Sequence, residues 1–205
     1  MEYYMKFIKS LVLTVSLLLS NVSSASLILW LDPAVQPGET GDDITLTLMA
    51  GGLDAGGPLS LGAFDLDIIF DPSVLSFTGY TLFDGLGDIL FFDALDLSLG
   101  EYGPGMIGLS EVSFLSETTL DAVQLAEFAL AELTFHVDLL DAADFTIVDM
   151  LPFAFSDGAG LAITPLEMRS ALIGTQPQTT VPEPSTLFLL SLGVFWVTCR
   201  KRLTS

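Results

Sequence analysis

One cysteine, one histidine and six basic residues are all that this 205-residue chain holds of the side chains that most often carry chemistry. A lone Cys199 excludes an intramolecular disulfide and a thiolate zinc site. A lone His136 excludes an imidazole metal cage. Any Ser-His-Asp arrangement must use that one residue, which lies between Phe135 and Val137 in a sequence with no Gly-x-Ser-x-Gly elbow. Basic residues are scarce and sit at the ends: Lys6 and Lys9 open the chain, Arg200, Lys201 and Arg202 close it, and Arg169 alone lies between. From Ser26 to Val181 that arginine faces 24 Asp and Glu residues, within a formal net charge of -20 for the whole chain. So acidic a surface repels phosphate backbones and excludes nucleic acid as a partner.

Apolar runs long enough to matter also occur only at the ends, and neither reaches the ~20 residues of a membrane span. Lys6 and Lys9 precede an apolar run from Leu11 to Leu19, and small residues follow at Ser23 and Ala25. This is the layout of a secretory signal peptide over residues 1–25, with cleavage by signal peptidase between Ala25 and Ser26. At the other end a polar linker, 176–181, leads into Pro182-Glu183-Pro184, an uncharged apolar stretch over 186–199, and the basic stop Arg200-Lys201-Arg202. Basic residues beyond an apolar helix hold that end in the cytoplasm and leave the preceding domain outside. The two prolines keep the motif extended, because each fixes φ and lacks an N–H.

This ordered tail over 182–205 resembles the PEP-CTERM sorting signal of Gram-negative bacteria that make exopolysaccharide. The resemblance implies processing by an exosortase, a membrane cysteine transpeptidase. It also implies transient anchoring in the inner membrane by a transmembrane helix, then delivery to the cell surface or extracellular matrix. A plain C-terminal anchor is the alternative reading.

Between the ends, residues 26–175 have room for one domain. Their dominant period is two. Ile44, Leu46 and Leu48 alternate with Thr45, Thr47 and Met49; Phe64, Leu66, Ile68 and Phe70 alternate with Asp65 and Asp67; Leu133, Phe135 and Val137 alternate with Thr134, His136 and Asp138. Each run predicts a strand with one face buried and one face wet. Further strands are predicted at Leu27 to Leu31, Val74 to Tyr80, Met106 to Phe114, Phe145 to Met150 and Ala171 to Ile173, with Gly and Pro turns between them. One helical turn is predicted from Thr118 to Gln124, capped by Thr118 or Thr119, while Leu125 to Ala131 is open between helix and strand. The fold class is all-β, an antiparallel jelly-roll sandwich, flanked by the signal helix and the C-terminal helix.

The stretch Leu61-Gly62-Ala63-Phe64-Asp65-Leu66-Asp67-Ile68-Ile69-Phe70-Asp71-Pro72, followed by Ser73-Val74-Leu75, resembles the cohesin pattern in which Phe-Asp leads to an Asp-Pro corner. Leu130-Ala131-Glu132-Leu133-Thr134-Phe135 is similar to the late strand of that family. Cohesins are sandwich relatives of carbohydrate-binding modules, and one sheet face can receive a dockerin, a calcium-loaded helical module. The resemblance implies a non-catalytic binding domain with a dockerin-like module or a polysaccharide as ligand. A structural matrix component without a discrete ligand is the alternative. By their chemistry alone, Asp71 and Pro72 read as a turn, Asp71 accepting backbone N–H bonds and Pro72 ending the strand.

The abundant carboxylates leave three readings. Paired acids can hydrolyse glycosides, but no pair is singled out by spacing. Asp84, Asp88, Asp93 and Asp96 cluster in a Gly-containing segment, either as a solvated acidic loop or as calcium ligands, without an EF-hand pattern. No other cofactor is implied. For sugar stacking the candidates are Tyr80, Phe83, Phe91, Phe92 and Tyr102, with core filling the commoner fate of the phenylalanines. Trp30, among Leu27, Leu29 and Leu31, is expected in the core.

Overall fold

The computed structural model describes residues 27–53, 60–141 and 144–174. The predicted signal peptide, with its Ala25-Ser26 cleavage point, and the predicted linker and tail lie outside the described residues.

In chain order the elements are β1 (Ile28–Asp32), β2 (Val35–Gln36), β3 (Asp43–Gly51), β4 (Leu61–Ile69), β5 (Leu75–Leu82), β6 (Ala94–Asp96), β7 (Gly100–Gly103) and β8 (Met106–Ser113). Then follow α1 (Glu117–Val123), β9 (Glu127–Val137), β10 (Phe145–Asp157), β11 (Ala162–Ile163), β12 (Glu167–Arg169) and β13 (Ala171–Gly174). One sheet has the order β12-β1-β3-β9-β5. The other has the order β2-β13-β10-β4-β8-β6, with β11 on β10 and β7 on β8. Pairing is antiparallel except for β1 with β12 and β2 with β13. The chain crosses between the sheets repeatedly, and two of the crossings, at the cis Asp32-Pro33 peptide and at Ser170, set β1 beside β12 in one sheet and β2 beside β13 in the other.

The predicted alternation fills the space between the sheets. Ile44, Leu46 and Leu48 of β3 and Leu133, Phe135 and Val137 of β9 are buried from one side. Phe64, Leu66 and Ile68 of β4 and Ile107 and Leu109 of β8 are buried from the other. Each such side chain contributes about 1.5 to 3 kcal/mol relative to exposure. Phe135 stands edge-on to Phe70 at 5.3 Å and to Phe77 at 5.8 Å between ring centres, the geometry that aromatic quadrupoles favour.

At the Asp71-Pro72 corner, Asp71 Oδ1 accepts from the Ser73 amide at 2.9 Å and from Ser73 Oγ at 2.6 Å. These bonds hold the Asp71 carboxyl below its ordinary pKa. Gly105, at φ 72°, accepts from the Phe70 amide through its carbonyl at 3.0 Å, and a Cβ there would lie 2.3 Å from Phe70 O. Only glycine fits.

Several expectations are corrected. The helix starts at Glu117 and its cap is Ser116, whose hydroxyl accepts from the Thr119 amide at 3.3 Å. The ambiguous stretch is extended from Glu127 onward, because its main chain completes the ladder with β3. β10 continues to Asp157 through Pro152, where a register shift accommodates the missing N–H. Trp30 lies on the outer side of its sheet, since Leu29 and Leu31 take the inward positions. Its ring covers Gly51, where a Cβ would stand 2.8 Å from Cζ3.

Gln124 closes one end of the sandwich. Its Oε1 accepts from the Leu61 amide at 2.8 Å, and its Nε2 donates to Leu61 O at 2.7 Å and Gly85 O at 3.0 Å. Gln124→Ala orphans buried main-chain groups on two segments, so urea unfolding is expected to show a loss of roughly 3 kcal/mol.

Candidate binding face

The two sheets differ on their outer sides. Outward positions of β3, β9 and β5 are polar. Thr78 Oγ1 donates to Thr134 Oγ1 at 2.8 Å, Thr134 donates to Gly79 O at 3.0 Å, and His136 Nδ1 lies 2.7 Å from Asp43 Oδ1. The bond to Asp43 raises the His136 pKa above its ordinary value. Ser76 stands opposite His136 in the register, giving an Asp43-His136-Ser76 row. Its hydroxyl, however, donates to Asp138, so the nucleophile–base bond of a catalytic triad is not formed.

The outer side of the other sheet is apolar. β10 exposes Ile147, Leu151 and Phe153, β4 exposes Ile69, β6 exposes Leu95, and the segment after β6 exposes Leu97 and Leu99. So many exposed apolar side chains on one sheet face make it the candidate partner surface. In register across its middle run Leu151, Asp67, Gly108 and Gly100. A depression of about 450 Å³ lies here, lined by Asp65, Asp67, Leu97, Leu99, Tyr102 and Phe153 among others. A second, of about 300 Å³, shares Asp65 and Ser110 with it and extends toward Ala63 and Val112.

Asp67 was expected on a wet face, yet it is only 4% exposed. Tyr102 covers it: the ring lies across Gly108, and the phenol donates its proton to Asp67 Oδ2. That hydrogen bond raises the Tyr102 pKa. A Cβ on Gly108 would sit 3.3 Å from Leu99 Cβ and 3.4 Å from Tyr102 Cε1, so a side chain there displaces the ring. The result is a floor of hydrogen-bond acceptors between apolar walls, suited to a ligand that presents donors among apolar groups.

The four acidic calcium candidates are not drawn together. Asp88 Oδ1 accepts from the Leu90 amide at 2.7 Å at the start of a short 3-10 turn, and Asp84 opens another such turn. Asp93 offers its carbonyl to the Phe114 amide at 2.7 Å. Asp96 accepts from the Ser98 amide at 2.8 Å and from Tyr80 at 2.9 Å. Among the described residues, no three His, Cys, Asp or Glu side chains form a metal-holding group.

Of the aromatic candidates, Tyr80 is tied to Asp96, and Tyr102 belongs to the depression. Phe91 and Phe92 stand out from the surface with Leu90, at 77%, 82% and 87% exposure, so they do not fill the core. The turn that carries them closes on itself, the Phe91 amide donating to Asp88 O and the Phe92 amide to Ile89 O, each at 3.2 Å, and it is Ile89 that packs against the core.

Sequence reasoning missed Glu111. It follows Ile107 and Leu109 at the inward parity of β8, is 0% exposed, and neither carboxylate oxygen has a hydrogen-bond partner. An acid at the third inward position of a strand was the available signal. Burial, with the nearby Asp96 charge, pushes its pKa up to about 8.

Comparison with known proteins bears on both parts of the chain. Residues 180–202 match the family model described as the PEP-CTERM protein-sorting motif. That stretch contains Pro182, Glu183, Pro184, Arg200, Lys201 and Arg202. No curated protein matches the chain in sequence. Among solved structures, the sixth cohesin of Acetivibrio cellulolyticus scaffoldin B, solved with a Cel5 dockerin, is similar with a TM-score of 0.58 at 11% identity, covering 74% of this chain and 99% of that one. A Clostridium acetobutylicum cohesin in solution gives 0.55 at 16%, covering 75% and 93%. The cohesin module of a Clostridium perfringens family 33 glycoside hydrolase gives 0.54 at 13%, covering 75% and 100%. The sandwich is therefore cohesin-like in fold, and the chain is an exported protein bearing a PEP-CTERM motif. Among the described residues no helix is long and apolar enough to cross a membrane, and the predicted span at 186–199 lies outside them.

Because the folded Glu111 holds its proton to about pH 8 and the unfolded chain releases it near 4.5, its contribution is complete below pH 4.5 and fades as pH rises through 8. Urea midpoints measured between pH 5.5 and 8 are expected to fall, by up to about 1.4 kcal/mol of stability per pH unit from this group. Glu111→Gln should flatten that part of the profile and be more stable than the parent at pH 8.

Proposed function

We propose that this is a non-catalytic binding protein, sorted by an exosortase from a transient place in the inner membrane to the cell surface or matrix. Its sandwich docks a dockerin-like protein module on the outer face of the β10-β4-β8 sheet. One observation carries this reading: the polar outer side of one sheet against the apolar outer side of the other, on a fold similar to cohesins. An apolar, nearly flat face with a few acceptors in its centre suits a helical module that lays apolar side chains on the strands. The acidity of the domain favours a partner that brings basic residues to Asp65 and Asp67.

A second reading, recognition of the exopolysaccharide, is supported by the depression itself. Tyr102 and Phe153 supply ring faces there, and Asp65 and Asp67 supply acceptors for hydroxyl groups.

The test is binding of the purified protein to a panel of calcium-loaded dockerin modules and to polysaccharide from the same source. Dockerin binding supports the leading reading, and polysaccharide binding alone supports the second. Absence of both favours a structural matrix role. Leu151 and Phe153 are 42% and 59% exposed, so their truncation should leave the melting temperature nearly unchanged. Phe153→Ala is expected to weaken dockerin affinity about 30-fold, the scale of an aromatic anchor at an interface centre.

A further inference from the structure

We propose that Glu111 of β8 and Asp96 of β6, inside the sandwich beside Tyr80, form a seat for a calcium ion. The two residues stand directly opposite each other in an antiparallel register. Opposed residues share a face and hold their Cβ atoms about 4.5 to 5.5 Å apart, so two ionised carboxylates there repel unless a proton or a cation neutralises one of them. Glu111 is 0% exposed, and both its carboxylate oxygens lack a partner. A buried acid left without a partner is among the least favourable groups a core can hold, and the position calls for a ligand.

Asp96, opposite Glu111 in the register, is held in place by two hydrogen bonds. Its Oδ1 accepts from the Ser98 amide at 2.8 Å and its Oδ2 from the Tyr80 hydroxyl at 2.9 Å. Each oxygen keeps a second lone pair, so these bonds orient the carboxylate without using it up. Tyr80 belongs to β5, the edge of the opposite sheet, and both it and Asp96 are half-buried. Access to the seat is from this side, where Asp96 and Tyr80 keep partial contact with solvent.

The donor set selects the ion. Every ligand is oxygen, which suits a hard cation. Calcium accepts irregular shells of six to eight oxygens, whereas magnesium requires a near-ideal octahedron and gives up its water reluctantly. This seat differs from the acidic loop singled out in sequence: it uses Asp96 alone of those four, with an acid from the core. An ion there ties β6 to β8 on the inner side of the edge whose outer side carries Leu95, Leu97 and Leu99.

The proposal is tested by calorimetric titration of chelator-treated protein with calcium chloride, together with its melting temperature, for the parent, Glu111→Gln and Asp96→Asn. Binding on the order of 10⁻⁴ to 10⁻³ M is expected for the parent, as in extracellular calcium modules, with a rise in melting temperature. Each variant should bind at least tenfold more weakly and lose that rise. Glu111→Gln preserves shape and removes the repulsion, so it is expected to fold, which circular dichroism checks. Calcium binding unchanged in Glu111→Gln would overturn the assignment. So would a parent whose melting temperature follows pH but ignores calcium, because a proton alone then occupies the place.

Discussion

Each sheet presents a largely apolar inner surface that the other sheet covers. Leu46, Leu48, Leu133 and Phe135 meet Leu66, Ile68, Ile107 and Leu109 across the interior, and neither set is covered by its own strands. With a single cysteine in the chain, no intramolecular disulfide supports the contact, so burial must carry it. The chain reinforces it by passing from one sheet to the other after β1 and again after β12, with β1 and β12 paired in one sheet and β2 and β13 in the other. Once the inner faces are committed to each other, what the outer faces carry decides what the protein can meet.

Those outer faces were legible in part. Where a strand is one-sided, as in β3, period two identified the inward residues correctly from Ile44 to Leu48. It failed where a neighbour covers the outer side. Asp67 has the spacing of a wet residue, and only the β7-β8 hairpin, folding Tyr102 across Gly108, removes it from water. The same hairpin was read as a turn followed by one strand, because Gly100 to Gly103 has no apolar period of its own. Likewise Pro152 hid the second half of β10, and with it Phe153, one wall of the candidate site.

Two further residues escaped the reading. Trp30 sits among leucines, and composition alone assigns it inward, whereas parity with Leu29 and Leu31 assigns it outward, over Gly51. Glu111 was invisible among so many acids until strand parity placed it in the core opposite Asp96. Carboxylates were plentiful enough that their number carried no information. Their side of the strand did. The Asp71-Pro72 corner, by contrast, behaves as its local chemistry predicts, with Asp71 bonded to Ser73.

β8 now links the two functional proposals. Its outward residues Gly108 and Ser110 floor the apolar face, and its inward Glu111 meets Asp96 beneath the same edge. The central claim is that partners meet the β10-β4-β8 side and leave the β3-β9-β5 side free. It is tested most directly by NMR titration of the isotope-labelled protein with a dockerin module that binds it. The account predicts that methyl signals of Ile69, Ile147, Leu151, Leu97 and Leu99 shift while those of Thr45, Thr47 and Thr134 stay in place. Shifts confined to those threonines, with the leucine and isoleucine methyls unmoved, would contradict it.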